Sequence, residues 1–154
     1  MSLVKKVFLT DIAKGMSLTL KTMFTKPVTR QYPTEERIAE PGYRGLHALL
    51  RDEEGNEKCI GCVLCAAACP SRCIEIYTSE TENHKKVVDV YEINLLRCVF
   101  CGFCVEACPV EALAMTQEYE LACYDRECGL MTKEKLLEVG DRNQDKPMFL
   151  GRPD

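Results

Sequence analysis

Eight of the 11 cysteines fall into two runs of one spacing, Cys59-x2-Cys62-x2-Cys65-x3-Cys69-Pro70 and Cys98-x2-Cys101-x2-Cys104-x3-Cys108-Pro109. Three thiolates at two-residue gaps let a short loop wrap one face of a small inorganic iron–sulfur cube. The proline after the fourth cysteine stops the local helical turn. A single C-x2-C pair has little specificity, because zinc ribbons and redox dithiols share it. Structural zinc usually takes two separated pairs with no third cysteine in step. Here the threefold step and the Cys-Pro ending both occur twice. The chemistry indicated is one-electron transfer at two [4Fe–4S] clusters, with a structural zinc-binding interaction module as the alternative from a different class.

The paired runs match the two-cluster ferredoxin pattern, in which the fourth cysteine of each run ligates the other cluster. On that pattern Cys59, Cys62, Cys65 and Cys108 hold cluster 1, and Cys98, Cys101, Cys104 and Cys69 hold cluster 2. Every ligand position is then filled by thiolate, which leaves no iron open to a substrate. The chain also lacks a nucleophile–base pattern, a phosphate loop and a paired-carboxylate site. It reads as a carrier with no catalytic residues and no directly bound small-molecule substrate.

The elements that must position these thiols follow from the repeat. The runs superpose at an offset of 39 residues, so two similar half-units are expected about a pseudo-two-fold axis, tied by the crossed cysteines. The expected fold class is α+β: a two-cluster bacterial ferredoxin-like core, an N-terminal amphipathic helix and an extended C-terminal arm. Residues 46–51 are expected as a strand that turns through 52–56 into the first run. Residues 71–73 form a helical turn, 74–77 and 87–91 are strands joined by a turn over 79–86, and 110–113 and 114–116 repeat that plan. Cys73 superposes on Ala112, which marks it as a small buried hydrophobe and not a ligand. Cys123 and Cys128 lie beyond both runs without partners enough for a third cluster. His47 is expected to be structural, and His84 solvated in the hairpin turn. The apolar loop residues Ile60, Val63, Leu64, Ala66, Val99, Phe100 and Phe103 are expected to limit water access. Lys58 and Arg97 bring positive charge to the first cysteine of each run, as solvated side chains.

The organisation expected is residues 1–26, an amphipathic helix at a membrane or partner interface; 27–56, linker and strand; 57–117, the two-cluster domain; and 118–154, the C-terminal arm and tail. Val4, Phe8, Ile12, Met16, Leu20, Met23 and Phe24 recur at helical steps beside a basic stripe including Lys6, Lys14 and Lys21. Such a helix suits the boundary of an anionic membrane or packs on protein. Lys26-Pro27 ends it, and one helical turn is expected near 35–39. Thr132 caps a helix over 133–139 that Gly140 stops. Residues 141–154 form a polar tail in which Met148-Phe149-Leu150 anchors onto a partner.

At 154 residues the chain is enough for one modest domain with extensions. The odd cysteine count argues against a secreted disulfide scaffold and for a reducing, cytosolic compartment. No signal peptide or membrane-spanning run is expected. Residues 1–31 carry six lysines and arginines against Asp11, a net +5, so the remainder carries −9 of the overall −4. An acidic body argues against nucleic acid as a partner.

Beyond the cysteines, the chain resembles the ferredoxin-like subunit I of bacterial NADH:quinone oxidoreductase, respiratory complex I. The residues that carry this are Val28-Thr29-Arg30-Gln31-Tyr32-Pro33, Tyr43-Arg44-Gly45-Leu46-His47-Ala48-Leu49, the run from Cys59 to Pro70, Tyr91-Glu92-Ile93-Asn94-Leu95-Leu96-Arg97-Cys98, Cys101-Gly102-Phe103-Cys104, Tyr119-Glu120-Leu121-Ala122 and Lys133-Glu134-Lys135-Leu136-Leu137. The resemblance implies a peripheral-arm subunit at the cytoplasmic face of the inner membrane. Its two [4Fe–4S] clusters pass single electrons to the terminal cluster of a neighbour, where quinone is reduced. It implies partners among the quinone-site and membrane-anchor subunits, and membrane contact through residues 4–24. Cys123, Cys128 and the short tail depart from the pattern. The ferredoxin-like subunit of a related membrane-bound hydrogenase is the alternative within the same class.

Overall fold

The computed structural model describes residues 10–82 and 84–151, and the chain divides into two compact units, residues 1–38 and 39–154. In the first unit, helix α1 (Thr10–Met23) has Asp11 in its first turn and Lys21 in its last, each complementing the helix dipole. Residues 4–9 of the expected helix lie outside the described residues. None of α1 is buried, and Ile12, Met16, Leu20, Met23 and Phe24 all remain exposed. No described helix is long and apolar enough to cross a membrane. The turn expected near 35–39 forms earlier, where the Glu35 amide donates to the Gln31 carbonyl at 2.8 Å.

Two small antiparallel sheets build the second unit. Strand β1 (His47–Leu49) pairs with β4 (Leu113–Met115) in the register His47↔Met115 and Leu49↔Leu113. Strands β2 (Ile74–Glu80), β3 (Lys86–Asn94) and β5 (Leu130–Thr132) form the other, with β3 central. Ile74 faces Ile93 and Ile76 faces Tyr91, which gives one sheet face a stripe of large apolar side chains. A bulge at Tyr77/Thr78 shifts the register and brings Val88 into the core. The hairpin is therefore longer and its turn tighter than expected, with His84 exposed at φ 56°. Leu113, expected in a helical turn, is instead the first residue of β4. The 3₁₀ turn Arg126–Gly129 and strand β5 leave no signal in the sequence, because four and three residues are too few for a periodicity to register.

Helices α2 (Leu64–Ala68) and α3 (Phe103–Glu106) each begin one residue before the third cysteine of a run and lead toward the fourth. Helix α4 (Lys133–Arg142) follows β5 and buries Leu136, Leu137, Val139 and Gly140. Gly140 does not stop this helix: it lies inside it, where a Cβ would collide with the Leu49 carbonyl oxygen of β1. The stop comes from buried Asn143, whose amide donates to the Gly140 carbonyl and whose Nδ2 reaches the Val139 carbonyl at 2.9 Å. Thr132 occupies the N-cap position in extended conformation, without a side-chain capping hydrogen bond.

Phe149 corrects the expectation of a tail anchored on a partner. Its backbone bonds reciprocally with Met115 at 2.8 and 3.1 Å, adding a bridge to β4. The Arg44 guanidinium lies 5.0 Å over its ring. The tail thus covers its own domain beside Gly102, where a Cβ would come within 2.9 Å of the Phe149 ring.

Candidate metal centres

Both cysteine runs use left-handed backbone to aim groups at sulfur. Gly61 and Val63 precede α2 at φ 67° and 64°, and Phe100 and Gly102 precede α3 at φ 52° and 83°. Arg72 and Glu111, at φ 47° and 50°, each precede an amide that donates to a thiol. The Cys73 amide reaches Cys69 Sγ at 3.5 Å and the Ala112 amide reaches Cys108 Sγ at 3.2 Å. The Phe100 amide reaches Cys98 Sγ at 3.4 Å. Left-handed conformation in Val63 and Phe100 costs about 1 kcal/mol or more each, a strain that suits loops shaped to present sulfur.

The eight thiols fall into two groups. Cys59, Cys62, Cys65 and Cys108 line one cavity walled by Leu49, Ile76, Tyr91 and Leu113. Cys98 lies close enough to Cys69 and Cys101 to feel their charge, and Cys104 to feel Cys98 and Cys101. The groups meet at two buried residues, Cys65 and Cys104. Among the described residues, no three His, Cys, Asp or Glu side chains gather as a site for a single ion.

Burial pushes the Cys59, Cys65 and Cys98 thiols up, and the Cys104 thiol up to about 12. Cys69 goes the other way. Desolvation pushes it up, but hydrogen bonds from the Cys73 amide, the Ser71 hydroxyl and the Cys73 thiol outweigh this and leave it lowered. Iron must therefore displace protons from several of these sulfurs, so cluster binding and folding are coupled. All-thiolate donor sets in apolar walls, each with hydrogen bonds to sulfur, fit tetranuclear iron–sulfur clusters.

Tyr91 is 1% exposed and its hydroxyl is 3.5 Å from Cys65 Sγ. Burial raises its pKa well above 10, so it stays a phenol and donates. His47, also 1% exposed, places Nε2 3.9 Å from Cys98 Sγ and tilts its ring on Phe100. Burial lowers its pKa to about 4, and Nδ1 has no partner. A bare acceptor is cheaper to bury unpaired than an N–H with no acceptor, which places the proton on Nε2, facing sulfur. No motif announced either role; the pairing of β1 with β4 is what carries His47 to Cys98.

Cys73 is buried as expected, yet its sulfur is 3.4 Å from Cys69 Sγ. Cys123 and Cys128, for which the sequence offers too few partners to hold a third cluster, pair with each other in a disulfide. The Arg97 side chain is not simply solvated, since Nη2 donates to the Ser71 carbonyl at 3.3 Å. The loop residues do not form the shield expected of them: Ile60, Val63, Leu64 and Phe103 are about half exposed and Val99 is 64% exposed.

Over residues 58–112 the chain matches the family described as 4Fe-4S dicluster domain. It is 51% identical over 127 residues to NADH-quinone oxidoreductase subunit I 2 of Geobacter metallireducens, covering 82% of this chain and 96% of that protein. The chain belongs to the subunit I family of NADH-quinone oxidoreductases. To subunit I of Francisella philomiragia it is 43% identical, covering 92% of this chain and 87% of that one. Among solved structures, a chain of the membrane-bound sulfane sulfur reductase, an archaeal respiratory membrane complex, is 40% identical with a TM-score of 0.51. That match covers 71% of this chain and 55% of the other. As a family member the chain carries two [4Fe–4S] clusters and serves an oxidoreductase complex as a carrier subunit.

Proposed function

We propose that this chain relays single electrons within a membrane-bound NADH:quinone oxidoreductase, toward the terminal cluster of a neighbouring subunit that reduces quinone. The clusters, when bound, supply reversible one-electron exchange; the chain holds them, adjusts their potentials and joins them to neighbours. Cys59, Cys62, Cys65 and Cys108 are assigned to cluster 1, and Cys98, Cys101, Cys104 and Cys69 to cluster 2. The observation that carries the assignment is the cavity that gathers three cysteines of the first run with the fourth of the second. Cys104 also feels the charge of Cys65, so these two buried residues mark the short way between the two groups.

The backbone supports the internal repeat behind this reading. Gly61 and Phe100, Val63 and Gly102, and Arg72 and Glu111 are three left-handed pairs, each separated by 39 residues. The same conformation recurring on unlike side chains favours a duplicated loop shaped for one task. Exposed Ile60, Val63, Leu64, Val99 and Phe103 suit burial against neighbouring subunits, which would exclude water where electrons enter and leave. The exposed apolar residues of α1 suit the membrane boundary or a membrane subunit, with the protein peripheral on the cytoplasmic face.

Anaerobic purification from native membranes in mild detergent tests the reading. It predicts co-purification with the oxidoreductase subunits and about eight irons with labile sulfide per chain. Recovery as a free monomer after gentle lysis would refute the subunit role, and zinc without sulfide would refute the relay. The similarity to a chain of the sulfane sulfur reductase complex favours a second reading, a related membrane reductase, which the identities of the co-purifying subunits decide.

A further inference from the structure

Cys123 and Cys128 lie outside both runs and the electron relay leaves them unused. Their Cα atoms are 6.4 Å apart, within the ordinary span of a disulfide, and the structure joins them. Cys123 is exposed and Cys128 half-buried, so small molecules reach this pair as they cannot reach buried Cys73. The Asp125 carbonyl oxygen lies 2.7 Å from Cys128 Sγ and 3.6 Å from Cys123 Sγ. In the reduced state it offers both S–H groups an acceptor, so neither redox state leaves the sulfurs without a partner.

What the pair holds is the turn Arg126–Gly129. Gly129 is buried against the Leu96 side chain, and its carbonyl accepts the Leu95 amide at 2.8 Å. The next residue, Leu130, pairs with Asn94 at the end of β3. Leu95 stands three residues before Cys98, so the turn grips the segment that enters the second cysteine run.

We propose that Cys123 and Cys128 form a reversible thiol–disulfide site whose oxidised form clamps this turn onto the entry to the second run. Its co-reactant is a small-molecule disulfide such as oxidised glutathione. One cysteine thiolate attacks that disulfide, forming a mixed disulfide and releasing one small thiol. The other cysteine attacks the mixed disulfide, closing the Cys123–Cys128 bond and releasing the second. The protein pair loses two electrons, the small disulfide gains two, and the two cysteine protons end on the released thiols. Exposed disulfides are the reducible ones, and closing a short ring removes freedom from the turn.

The full chain carrying both clusters is equilibrated anaerobically with graded ratios of reduced to oxidised glutathione, then blocked with iodoacetamide and digested. Trypsin cuts after Arg126, between the cysteines, so a disulfide leaves two peptides joined whereas a dithiol leaves them separate and alkylated. The expected result is one two-electron transition from joined to doubly alkylated peptides, with cluster absorbance unchanged. Hydrogen exchange in the segment holding Leu95 is expected to slow on the order of tenfold in the oxidised form. Cys123→Ser and Cys128→Ser are expected to keep both clusters and exchange fast at every ratio. Alkylation of both cysteines at every ratio would overturn the proposal, as would a stable glutathione adduct on one of them. Equal Leu95 exchange in the two forms would overturn the clamp.

Discussion

Replacing Tyr91 by phenylalanine removes one oxygen from the wall of the cavity lined by Cys59, Cys62, Cys65 and Cys108. The ring stays, and with it the packing of a side chain that is 1% exposed. What is lost is the hydroxyl's donation to Cys65 Sγ. A hydrogen bond to a charged group is worth ~1.5–3 kcal/mol, and at 3.5 Å to a thiolate the lower part of that range applies. Cluster reduction adds negative charge, so the bond is stronger in the reduced state and its presence raises the potential. If the two states differ by ~1 kcal/mol, a one-electron couple falls by roughly 40 mV in Tyr91→Phe. The assay is a potentiometric titration of the intact chain followed by electron paramagnetic resonance, with the two clusters distinguished by their spectra. A fall confined to cluster 1 is expected. Equal shifts in both clusters, a rise, or no change would refute the reasoning, since a general loosening of the core moves both and a spectator hydroxyl moves neither.

His47→Phe is the reciprocal test: it removes the Nε2 contact with Cys98 Sγ, and at the longer distance cluster 2 is expected to fall by roughly 20 mV while cluster 1 holds. Cys69→Ala is expected to abolish the cluster whose other ligands are Cys98, Cys101 and Cys104 and to leave about four irons; spectra showing loss of the Cys59–Cys65 cluster alone would refute the crossing. Cys73→Ala, by contrast, keeps about eight irons, because its backbone amide still donates to Cys69. Gly140→Ala pits a helix-propensity gain of about 1 kcal/mol against a Cβ driven into the Leu49 carbonyl oxygen. Separating α4 from β1 costs ~1–3 kcal/mol, so denaturation of the variant is expected to occur at lower denaturant, and an unchanged or higher midpoint would contradict the close packing.

The parts of this protein that were legible in its sequence are those whose chemistry is local. Cysteine spacing marks the eight candidate ligands because a loop of fixed length must wrap a cube of fixed size. The β2–β3 hairpin and α4 announce themselves through apolar periodicity, as in Ile74, Ile76, Tyr91 and Ile93. The misses share a different cause. Gly140 has the composition of a helix stop but serves as a contact surface, a distinction that depends on Leu49, far away in the chain. Phe149 reads as an anchor for a partner because the strand it joins, through Met115, is only three residues long. The apolar loop residues read as a shield because hydrophobicity alone does not say which way a side chain faces.

His47 and Tyr91 show what such non-local contacts add. Each is an ordinary core residue by composition, and each reaches a sulfur only after antiparallel pairing has set its register: His47 opposite Met115 and Tyr91 opposite Ile76. The donor to Cys65 comes from the central strand of the three-stranded sheet, and the donor to Cys98 from the two-stranded one. The two groups of thiols are thus served by different sheets with different donors, a phenol and an imidazole. Duplicated cysteine runs would by themselves make two equivalent centres. The unduplicated sheet residues behind them remove that equivalence, and a potential difference between the clusters is what a relay needs if electrons are to leave in one direction.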